Sequence, residues 1–127
     1  MKILLVDDSR TMRSIQKKVL EALGCNEVAE AADGMEALAV IASAPAGFNL
    51  IVIDWNMPNM DGITLVRKIR ERDKTTPLIM ATTEAEKTRV LDALKAGVNN
   101  YIIKPFTPEA LLEKVRQTLA KLQKSAA

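Results

Sequence analysis

Short apolar runs alternate with segments of helical pattern five times along this chain. The runs cover residues 3–6, a weaker 27–32, 50–53, 78–81 and 101–103. All but the second are continuously apolar, which is the pattern of parallel strands covered on both faces. Strands that alternate with helices in this way predict an α/β fold built around a parallel sheet.

Helix start and stop signals separate the first two helical segments. Gly24 stands where a left-handed C-terminal cap belongs, and Asp33 with Glu36 three residues later resembles a capping box. The first segment also has an apolar stripe with helical spacing, which we expect to face the core. That stripe consists of Met12, Ile15, Val19, Leu20 and Leu23.

Similar signals bound the other three helical segments. The third opens near Gly62 and closes before Pro77, and the fourth is stopped by Gly97. The fifth begins with Thr107 as N-cap and Pro108 at the first helical position. Three apolar residues mark the fourth segment, namely Val90, Leu91 and Leu94.

The chain has 127 residues, which is enough for one domain. Right-handed crossovers leave few topologies for five parallel strands, and the flavodoxin-like order 2-1-3-4-5 is the common one. We therefore predict a flavodoxin-like (βα)5 doubly wound sheet with helices on both faces. In that order the first and third strands are neighbours, and ligands bind outside their carboxyl ends.

Acidic residues follow those two strands. Asp7 and Asp8 end the first strand and Asp54 ends the third, so the fold predicts three carboxylates close together. Clustered carboxylates repel one another unless a cation or a proton lies among them. A hard divalent cation is the natural partner, and Mg²⁺ suits one or two carboxylates, a carbonyl and waters better than Ca²⁺ does.

Two further polar groups are expected at the same edge of the sheet. Lys104 ends the fifth strand, and Thr82 ends the fourth. An aspartate can act as a nucleophile and form an acyl phosphate, while a cation and a lysine neutralise the transferring group. Each residue alone has an ordinary structural explanation, but together they favour phosphoryl transfer.

Composition excludes several classes of function. The chain has no histidine, which removes Ser-His-Asp and Cys-His catalysis, His-ligated zinc and a phosphohistidine on this chain. A net charge of +2 and only four aromatic residues disfavour a nucleic-acid partner. Residues 67–74 carry five basic and two acidic residues, which we interpret as a solvated helix face. A single cysteine, Cys25, and the lack of an apolar run of about 18 residues predict a cytoplasmic protein without a membrane span.

The chain closely resembles the receiver domain of two-component response regulators, in particular the stand-alone chemotaxis regulators of the CheY type. The resemblance covers essentially the whole chain and is most specific in residues 54–62. Its other motifs are Asp7-Asp8, Thr82, Tyr101 and Lys104-Pro105-Phe106. It implies a receiver domain over residues 1–122 and a short tail, 123–127, without an output domain.

The resemblance also implies a role for each residue of the site. Asp54 is then the phosphoacceptor of a partner histidine kinase. Asp8 and Asp54 bind Mg²⁺ directly, the backbone carbonyl of Asn56 is a third ligand, and Asp7 acts mainly through water. Since the chain has no histidine, the phosphoryl group arrives from another protein's phosphohistidine or from a small phosphodonor.

Further residues receive switching or tuning roles from the same resemblance. Lys104 contacts the phosphoryl group, Thr82 hydrogen-bonds it, and Tyr101 is an aromatic switch that turns inward. The peptide bond before Pro105 is expected to be cis. Two positions tune dephosphorylation, Asn56 and Glu84. Thr83 is larger than the residue often found there, and we expect it to narrow access for phosphodonors.

The implied partners are a CheA-like histidine kinase, a downstream target such as the flagellar motor switch, and a phosphatase. The target is expected to bind the face formed by the fourth helix, fifth strand and fifth helix of a monomer. The implied protein is a signalling switch with self-phosphorylation and self-dephosphorylation chemistry, not an enzyme. The main competing function is that of a phosphorelay intermediate or phosphate sink.

Two further classes of protein fit the sequence less well. A Mg²⁺-dependent phosphatase with an aspartate nucleophile usually has an Asp-x-Asp signature, which Asp7-Asp8-Ser9 lacks. A nucleotide or flavin binder needs a glycine-rich loop after the first strand, where Ser9-Arg10-Thr11 stands instead.

Overall fold

The computed structural model describes residues 1–25, 27–83 and 87–126. Five strands alternate with five helices in the order β1 (Lys2–Val6), α1 (Arg10–Ala22), β2 (Glu27–Ala31), α2 (Gly34–Ala42), β3 (Leu50–Asp54), α3 (Gly62–Arg70), β4 (Leu78–Thr82), α4 (Lys87–Ala96), β5 (Asn100–Ile103) and α5 (Pro108–Ala126). The strands form one parallel sheet with the order β2-β1-β3-β4-β5. The predicted flavodoxin-like topology is confirmed.

Strand register aligns the carboxyl ends of the central strands. Val6 pairs with Ile53, so Asp7 and Asp54 follow neighbouring positions at the same edge. In the next two pairs Asp54 lies opposite Ala81, and Thr82 lies opposite Ile103. The residues that end β1, β3, β4 and β5 therefore meet along one edge of the sheet.

The core is divided by the sheet into two layers. Alternate strand residues such as Leu4 and Ile53 pack against α2, α3 and α4 on one face. Their neighbours, such as Ile3 and Val52, pack against α1 and α5 on the other. All residues of β3 and β4 are buried, whereas β5 is an edge strand with only Ile102 buried. Tyr101 packs against one core layer and Ile102 belongs to the other, so β5 is covered on both faces as predicted, although its edge position leaves more of it exposed.

Helix N-termini are capped by side chains that accept backbone N–H groups. Asp33 Oδ1 accepts from Glu36 at 2.8 Å, and Thr107 Oγ1 accepts from Ala110 at 3.1 Å, as the sequence predicts. Asp61 caps α3 in the same way, a role that the sequence pattern did not indicate. Gly24 has a φ of +88°, which is the left-handed conformation expected of a residue after a helix end.

Some apolar residues that the sequence singles out on α1 and α4 are exposed. Ile15 is 45% exposed, whereas the neighbouring Gln16 is buried. On α4 both Leu91 and Leu94 are 43% exposed, while Ala93 is buried. Adjacent helical positions point about 100° apart, so a small rotation of the helix exchanges the inward residue.

The longest helix, α5, is amphipathic. Leu111 and Val115 are buried against the sheet, while Glu113 and Arg116 on the same helix are exposed. In the part of the chain that the structure describes, no helix is both long enough and apolar enough to cross a bilayer.

Candidate functional site

Three carboxylates meet at the carboxyl edge of the sheet. Asp7, Asp8 and Asp54 each place an oxygen within 4.8 Å of an oxygen from the other two. Asp7 and Asp54 are buried, with 1% and 5% of their surface exposed, whereas Asp8 is exposed. The expected clustering of these three side chains is confirmed.

Lys104 places its ammonium group between two of these carboxylates. Its Nζ donates to Asp7 Oδ2 at 2.9 Å and lies 3.2 Å from Asp54 Oδ1. The Lys104 backbone N–H donates to the carbonyl of Thr82 at 2.7 Å, which joins the ends of β4 and β5. The peptide bond between Lys104 and Pro105 is cis. The fold thus aims the lysine into the acidic cluster.

Burial and charge shift the ionisation of this cluster. The pKa of Asp54 is raised, first because burial penalises its charged form and then because Asp7 repels it, although Lys104 opposes both effects. Burial alone would lower the pKa of Lys104, but its hydrogen bond and charge contact with Asp7, then Asp54, raise it overall. One ammonium group facing three carboxylates leaves a negative excess that attracts a cation.

Asp7 is held by several hydrogen bonds from neighbouring segments. Its Oδ1 accepts the Ser9 backbone N–H at 2.8 Å, and its Oδ2 accepts from Lys104. Arg13 Nη1 donates to the Asp7 carbonyl, and Arg13 Nε pairs with Glu30 at 3.1 Å. Both carboxylate oxygens of Asp7 therefore have protein donors.

The loop after Asp54 packs tightly against the ends of β3 and β4. The Trp55 N–H donates to the Ala81 carbonyl at 2.9 Å, and the Gly62 N–H donates to the Trp55 carbonyl at 2.8 Å. A Cβ on Gly62 would lie 2.4 Å from the Asp54 carbonyl oxygen, so only glycine fits there. Asn59 adopts a left-handed φ of 68° in this loop.

The side chain of Asn56, two residues after Asp54, contacts the residue that follows β4. Asn56 Nδ2 donates to Thr83 Oγ1 at 3.4 Å, and both side chains are exposed. Thr82, one residue earlier, is buried with 2% of its surface exposed. Glu84, the other residue expected to tune dephosphorylation, lies outside the described residues.

Tyr101 lies on the edge strand β5 between the core and the surface. It is partly buried and packs against the layer formed by α2, α3 and α4. The Lys114 ammonium of α5 lies 5.1 Å from its ring centroid. The Tyr101 ring therefore lies between β5, which Lys104 directly follows, and the Lys114 side chain of α5.

Three contacts near the site were missed by sequence analysis. Ser9 Oγ caps α1 by accepting the Met12 N–H at 3.2 Å, and a serine before a helical pattern is a usable signal for such a cap. Arg13 supports the Asp7 backbone from the first turn of α1. The Arg89 guanidinium of α4 stacks 5.0 Å from the Trp55 ring centroid. The contact between Arg89 and Trp55 joins distant segments and has no local signal in the sequence.

The donor set suits a hard divalent cation. All available ligand atoms are carboxylate or carbonyl oxygens, which Mg²⁺ prefers, and the cluster has excess negative charge. Asp54 is a buried carboxylate beside a lysine, so it is suited to attack an electrophilic phosphorus. The residues present therefore fit Mg²⁺-assisted acceptance of a phosphoryl group.

Comparison with known families agrees with this chemistry. Residues 3–116 match the model of the response regulator receiver domain. The chain therefore belongs to the response regulator receiver domain family. Members of this family are signalling switches, and phosphorylation by a histidine kinase is their general function.

More specifically, the chain is of the CheY type. The chemotaxis protein CheY1 of Helicobacter pylori is 52% identical over 121 residues, which cover 94% of this chain and 97% of that protein. Vibrio cholerae CheY4 has a similar structure, with a TM-score of 0.85 and 38% identity over 92% of this chain and 97% of that one. The CheX–CheY–BeF3–Mg²⁺ complex of Borrelia burgdorferi matches with a TM-score of 0.90 and 30% identity over 94% and 89%.

Proposed function

We propose that Asp54 accepts a phosphoryl group from a CheA-like histidine kinase and that this modification changes which protein the chain binds. The observation that carries the proposal is the setting of Asp54. Its carboxylate is buried at the sheet edge, lies 3.2 Å from the Lys104 ammonium and belongs to a cluster with two further carboxylates. Its Oδ1 is thus held beside a positive charge.

Asp8, Asp54 and the backbone carbonyl of Asn56 would hold Mg²⁺, and Asp7 would act on the ion through water. The exposure of Asp8 supports direct ligation, while the engaged oxygens of Asp7 support an indirect role. When bound, the ion supplies positive charge beside the phosphoryl oxygens.

In the transfer step, a carboxylate oxygen of Asp54 attacks the phosphorus of a phosphohistidine on the kinase. An O–P bond forms while the P–N bond breaks, and the electron pair stays on the departing imidazole nitrogen, which takes up a proton from solvent. The ammonium of Lys104 neutralises charge on the phosphoryl oxygens. Asp7 positions this lysine through the 2.9 Å hydrogen bond.

Phosphorylation then changes the ends of β4 and β5. We expect the Thr82 hydroxyl and Lys104 to engage the new phosphoryl oxygens. The hydrogen bond from the Lys104 N–H to the Thr82 carbonyl supports a joint movement of the two strand ends. Tyr101, partly buried on β5, would turn inward and alter the face formed by α4, β5 and α5.

That face supplies apolar contact surface for a target protein. Leu91 and Leu94 of α4 are both exposed. The similarity to chemotaxis proteins supports a flagellar motor switch as the target. The Borrelia relative in complex with CheX supports a second class of partner, a phosphatase that ends the signal.

The lifetime of the phosphorylated state would depend on the rim of the site. Asn56 and Glu84 occupy the positions that tune dephosphorylation in the family. The 3.4 Å contact between Asn56 and Thr83 supports a narrowed approach to Asp54. Replacement of Thr83 by alanine is then expected to speed phosphorylation by small donors.

Mass spectrometry after treatment with acetyl phosphate and Mg²⁺ tests the acceptor. The mass of one phosphoryl group is expected on the peptide that contains Asp54, and Asp54→Asn should lose it. Asp61→Asn is the matched control, because asparagine keeps the cap of α3 and lies in the same loop. A label that persists on Asp54→Asn would rule out this acceptor.

A further inference from the structure

Asp7 and Asp8 are adjacent in the chain, but their polar groups are held in different ways. The Asp7 N–H donates to the Ala31 carbonyl at 3.1 Å, and the Asp7 carbonyl accepts from Arg13. Both carboxylate oxygens of Asp7 also accept hydrogen bonds. Asp8 is exposed, and the described part of the chain donates no hydrogen bond to its carboxylate. The position of that carboxylate therefore depends on the backbone of Asp8.

The peptide bond that joins Asp7 to Asp8 is held by Arg13. Its carbonyl oxygen belongs to Asp7 and accepts a hydrogen bond from Arg13 Nη1. Because a peptide group is planar, a carbonyl that is fixed in direction also fixes the N–H and the Cα of the next residue. The hydrogen bond from Arg13 therefore constrains the direction in which the Asp8 side chain leaves the main chain.

The guanidinium of Arg13 is itself fixed by contacts on two elements. Arg13 lies one turn after the Ser9 cap of α1, and its backbone N–H donates to the Ser9 carbonyl at 3.0 Å. Side chains lean towards the amino end of a helix, so the guanidinium reaches back towards β1. There Arg13 Nε pairs with Glu30 Oε1 of β2 at 3.1 Å, and only 13% of the Arg13 side chain is exposed. The donors of a guanidinium form a rigid fork, so this pair orients the nitrogen that contacts Asp7.

We propose that Arg13 is a positioning residue for the divalent cation. Its guanidinium, anchored on Glu30, holds the peptide between Asp7 and Asp8 so that the Asp8 carboxylate faces the Asp54 carboxylate across the cation site. Arg13 acts through the main chain and is not a ligand. This inference rests on the proposed metal site and extends it by one residue. Removal of a group that orients a metal ligand typically lowers metal affinity about 10- to 100-fold.

The charge of Arg13 acts on a bound cation in the opposite direction. A guanidinium near a cation site repels the cation, so removal of its charge alone would raise the affinity for Mg²⁺. The pair with Glu30 reduces this repulsion. A loss of Mg²⁺ affinity when Arg13 is replaced therefore indicates positioning, whereas a gain indicates a charge effect alone. The sign of the change separates the two roles.

Mg²⁺ and Ca²⁺ differ in how they respond to a displaced ligand. Mg²⁺ requires near-ideal octahedral geometry, whereas Ca²⁺ accepts irregular sets of oxygen ligands. If Arg13 positions Asp8, its replacement lowers the affinity for Mg²⁺ more than the affinity for Ca²⁺. A change of charge acts on the two divalent ions alike. The ratio of the two affinities is therefore a readout that a purely structural or electrostatic role would not move.

The test is isothermal titration calorimetry of the full chain with MgCl2 and, separately, with CaCl2 at constant ionic strength. For Arg13→Ala we expect Mg²⁺ affinity to fall about tenfold and the ratio of Mg²⁺ to Ca²⁺ affinity to fall at least about threefold. Arg10→Ala is the matched control, because Arg10 is exposed, lies in the first turn of the same helix and carries the same charge. Its affinity for Mg²⁺ should stay unchanged or rise slightly.

Arg13→Lys tests the fork without a change of charge. An ammonium group cannot contact the Asp7 carbonyl and Glu30 in the same geometry, so Mg²⁺ affinity should fall about threefold. Urea unfolding without metal checks that each variant is folded, and Arg13→Lys decides the question if Arg13→Ala does not fold. The proposal is overturned if Arg13→Ala binds Mg²⁺ as tightly as the unchanged protein or more tightly. Equal losses for Mg²⁺ and Ca²⁺, or full Mg²⁺ affinity in Arg13→Lys, would also overturn it.

Asp8→Ala separates a failure of this inference from a failure of the proposed metal site. If Asp8→Ala lowers Mg²⁺ affinity and Arg13→Ala does not, the metal site is correct and the positioning role of Arg13 is wrong. If neither variant changes Mg²⁺ affinity, the cation binds elsewhere and both assignments are wrong.

Discussion

Two half-buried cations join distant segments at opposite ends of the sheet, and they are satisfied in different ways. At the amino ends of β4 and β5, Arg70 donates from Nε to the Gly97 carbonyl at 2.9 Å and from Nη1 to the Asp73 carbonyl at 3.0 Å. Its Nη2 donates to Asn99 Oδ1 at 3.1 Å. Each nitrogen of this guanidinium therefore has a neutral oxygen as its partner.

Lys104 at the carboxyl ends has charged partners instead. It contacts Asp7 and Asp54, and the exposed Asp8 adds a third carboxylate, for which the described part of the chain shows no ion pair. The hydrogen bonds of Arg70 thus leave none of its nitrogens without an acceptor, whereas the cluster around Lys104 has three carboxylates that fit a cation. The comparison separates a structural brace from a binding site: the sequence suggests a solvated helix face for Arg70 and a position directly after a strand for Lys104.

The largest effect on stability is expected from Arg70→Ala. Three oxygen acceptors lose their donor and the stem of the side chain leaves space against Gly97, so the free energy of unfolding should fall by about 2–3 kcal/mol. Urea unfolding followed by circular dichroism measures this change. Arg67→Ala, an exposed arginine on the same helix, should change stability by less than about 0.5 kcal/mol. Equal effects of the two variants would contradict a stabilising role for the hydrogen bonds of Arg70.

Asp8→Ala is expected to act on metal binding and not on folding. Removing one carboxylate charge beside a divalent ion costs more than about 1.4 kcal/mol at partly exposed sites, so Mg²⁺ affinity should fall at least about tenfold. Isothermal titration calorimetry measures it, with Asp92→Ala on the exposed side of α4 as control. Unchanged affinity would move the metal site away from Asp8.

Asp54→Asn is expected to raise the free energy of unfolding of the metal-free protein by about 1 kcal/mol. Gains of this size are common when a substitution removes an unfavourable charge from a functional site. The pKa of Asp54 is raised by burial and by Asp7, so its charged form is disfavoured in the folded state. The gain should be absent below about pH 4 and complete once pH exceeds the folded pKa. Urea unfolding at several pH values without Mg²⁺ measures it. A destabilised variant at pH 7 would contradict this sign.

The smallest expected effect is that of Asp73→Asn at the arginine end. Burial raises the pKa of Asp73, but hydrogen bonds from Thr76 and Thr75 outweigh it and lower the pKa from 3.8 to about 2. Stability from this carboxylate is therefore present above pH 3.8 and is lost as pH falls towards 2. Allowing for solvent screening, the variant should lose about 1 kcal/mol at pH 7. Glu71→Gln is the exposed control. If Asp73→Asn remained less stable than the unchanged protein at pH 2, the ionised carboxylate would not be the source of the stability.

The sheet and the acidic cluster around Lys104 were predictable because their sequence signals are local. Continuous apolar runs define the strands, and the order of parallel strands then brings the residues that follow them to one edge. Asp7, Asp54 and Lys104 could be placed together from these two facts. The family motifs added roles that the geometry alone does not assign.

The arginine end could not be predicted in the same way. Arg70 belongs to a run of charges that we interpreted as solvated, but its partners lie 27 and 29 residues later in the chain. Nothing near Arg70 in sequence indicates this contact. Ile15 and Gln16 show a related limit, since periodicity does not determine which of two adjacent residues turns inward when a helix packs on a sheet.

The close packing of Gly62 gives the site one fixed wall. A Cβ at position 62 would lie only 2.4 Å from the Asp54 carbonyl oxygen and 2.8 Å from the Trp55 Cα. The start of α3 is therefore packed directly against the end of β3, with no room between them. If Asp54 is phosphorylated as we propose, we therefore expect the conformational response on the opposite side of the site, at Thr82 and Lys104. Glycine at position 62 would then determine the direction in which the change spreads.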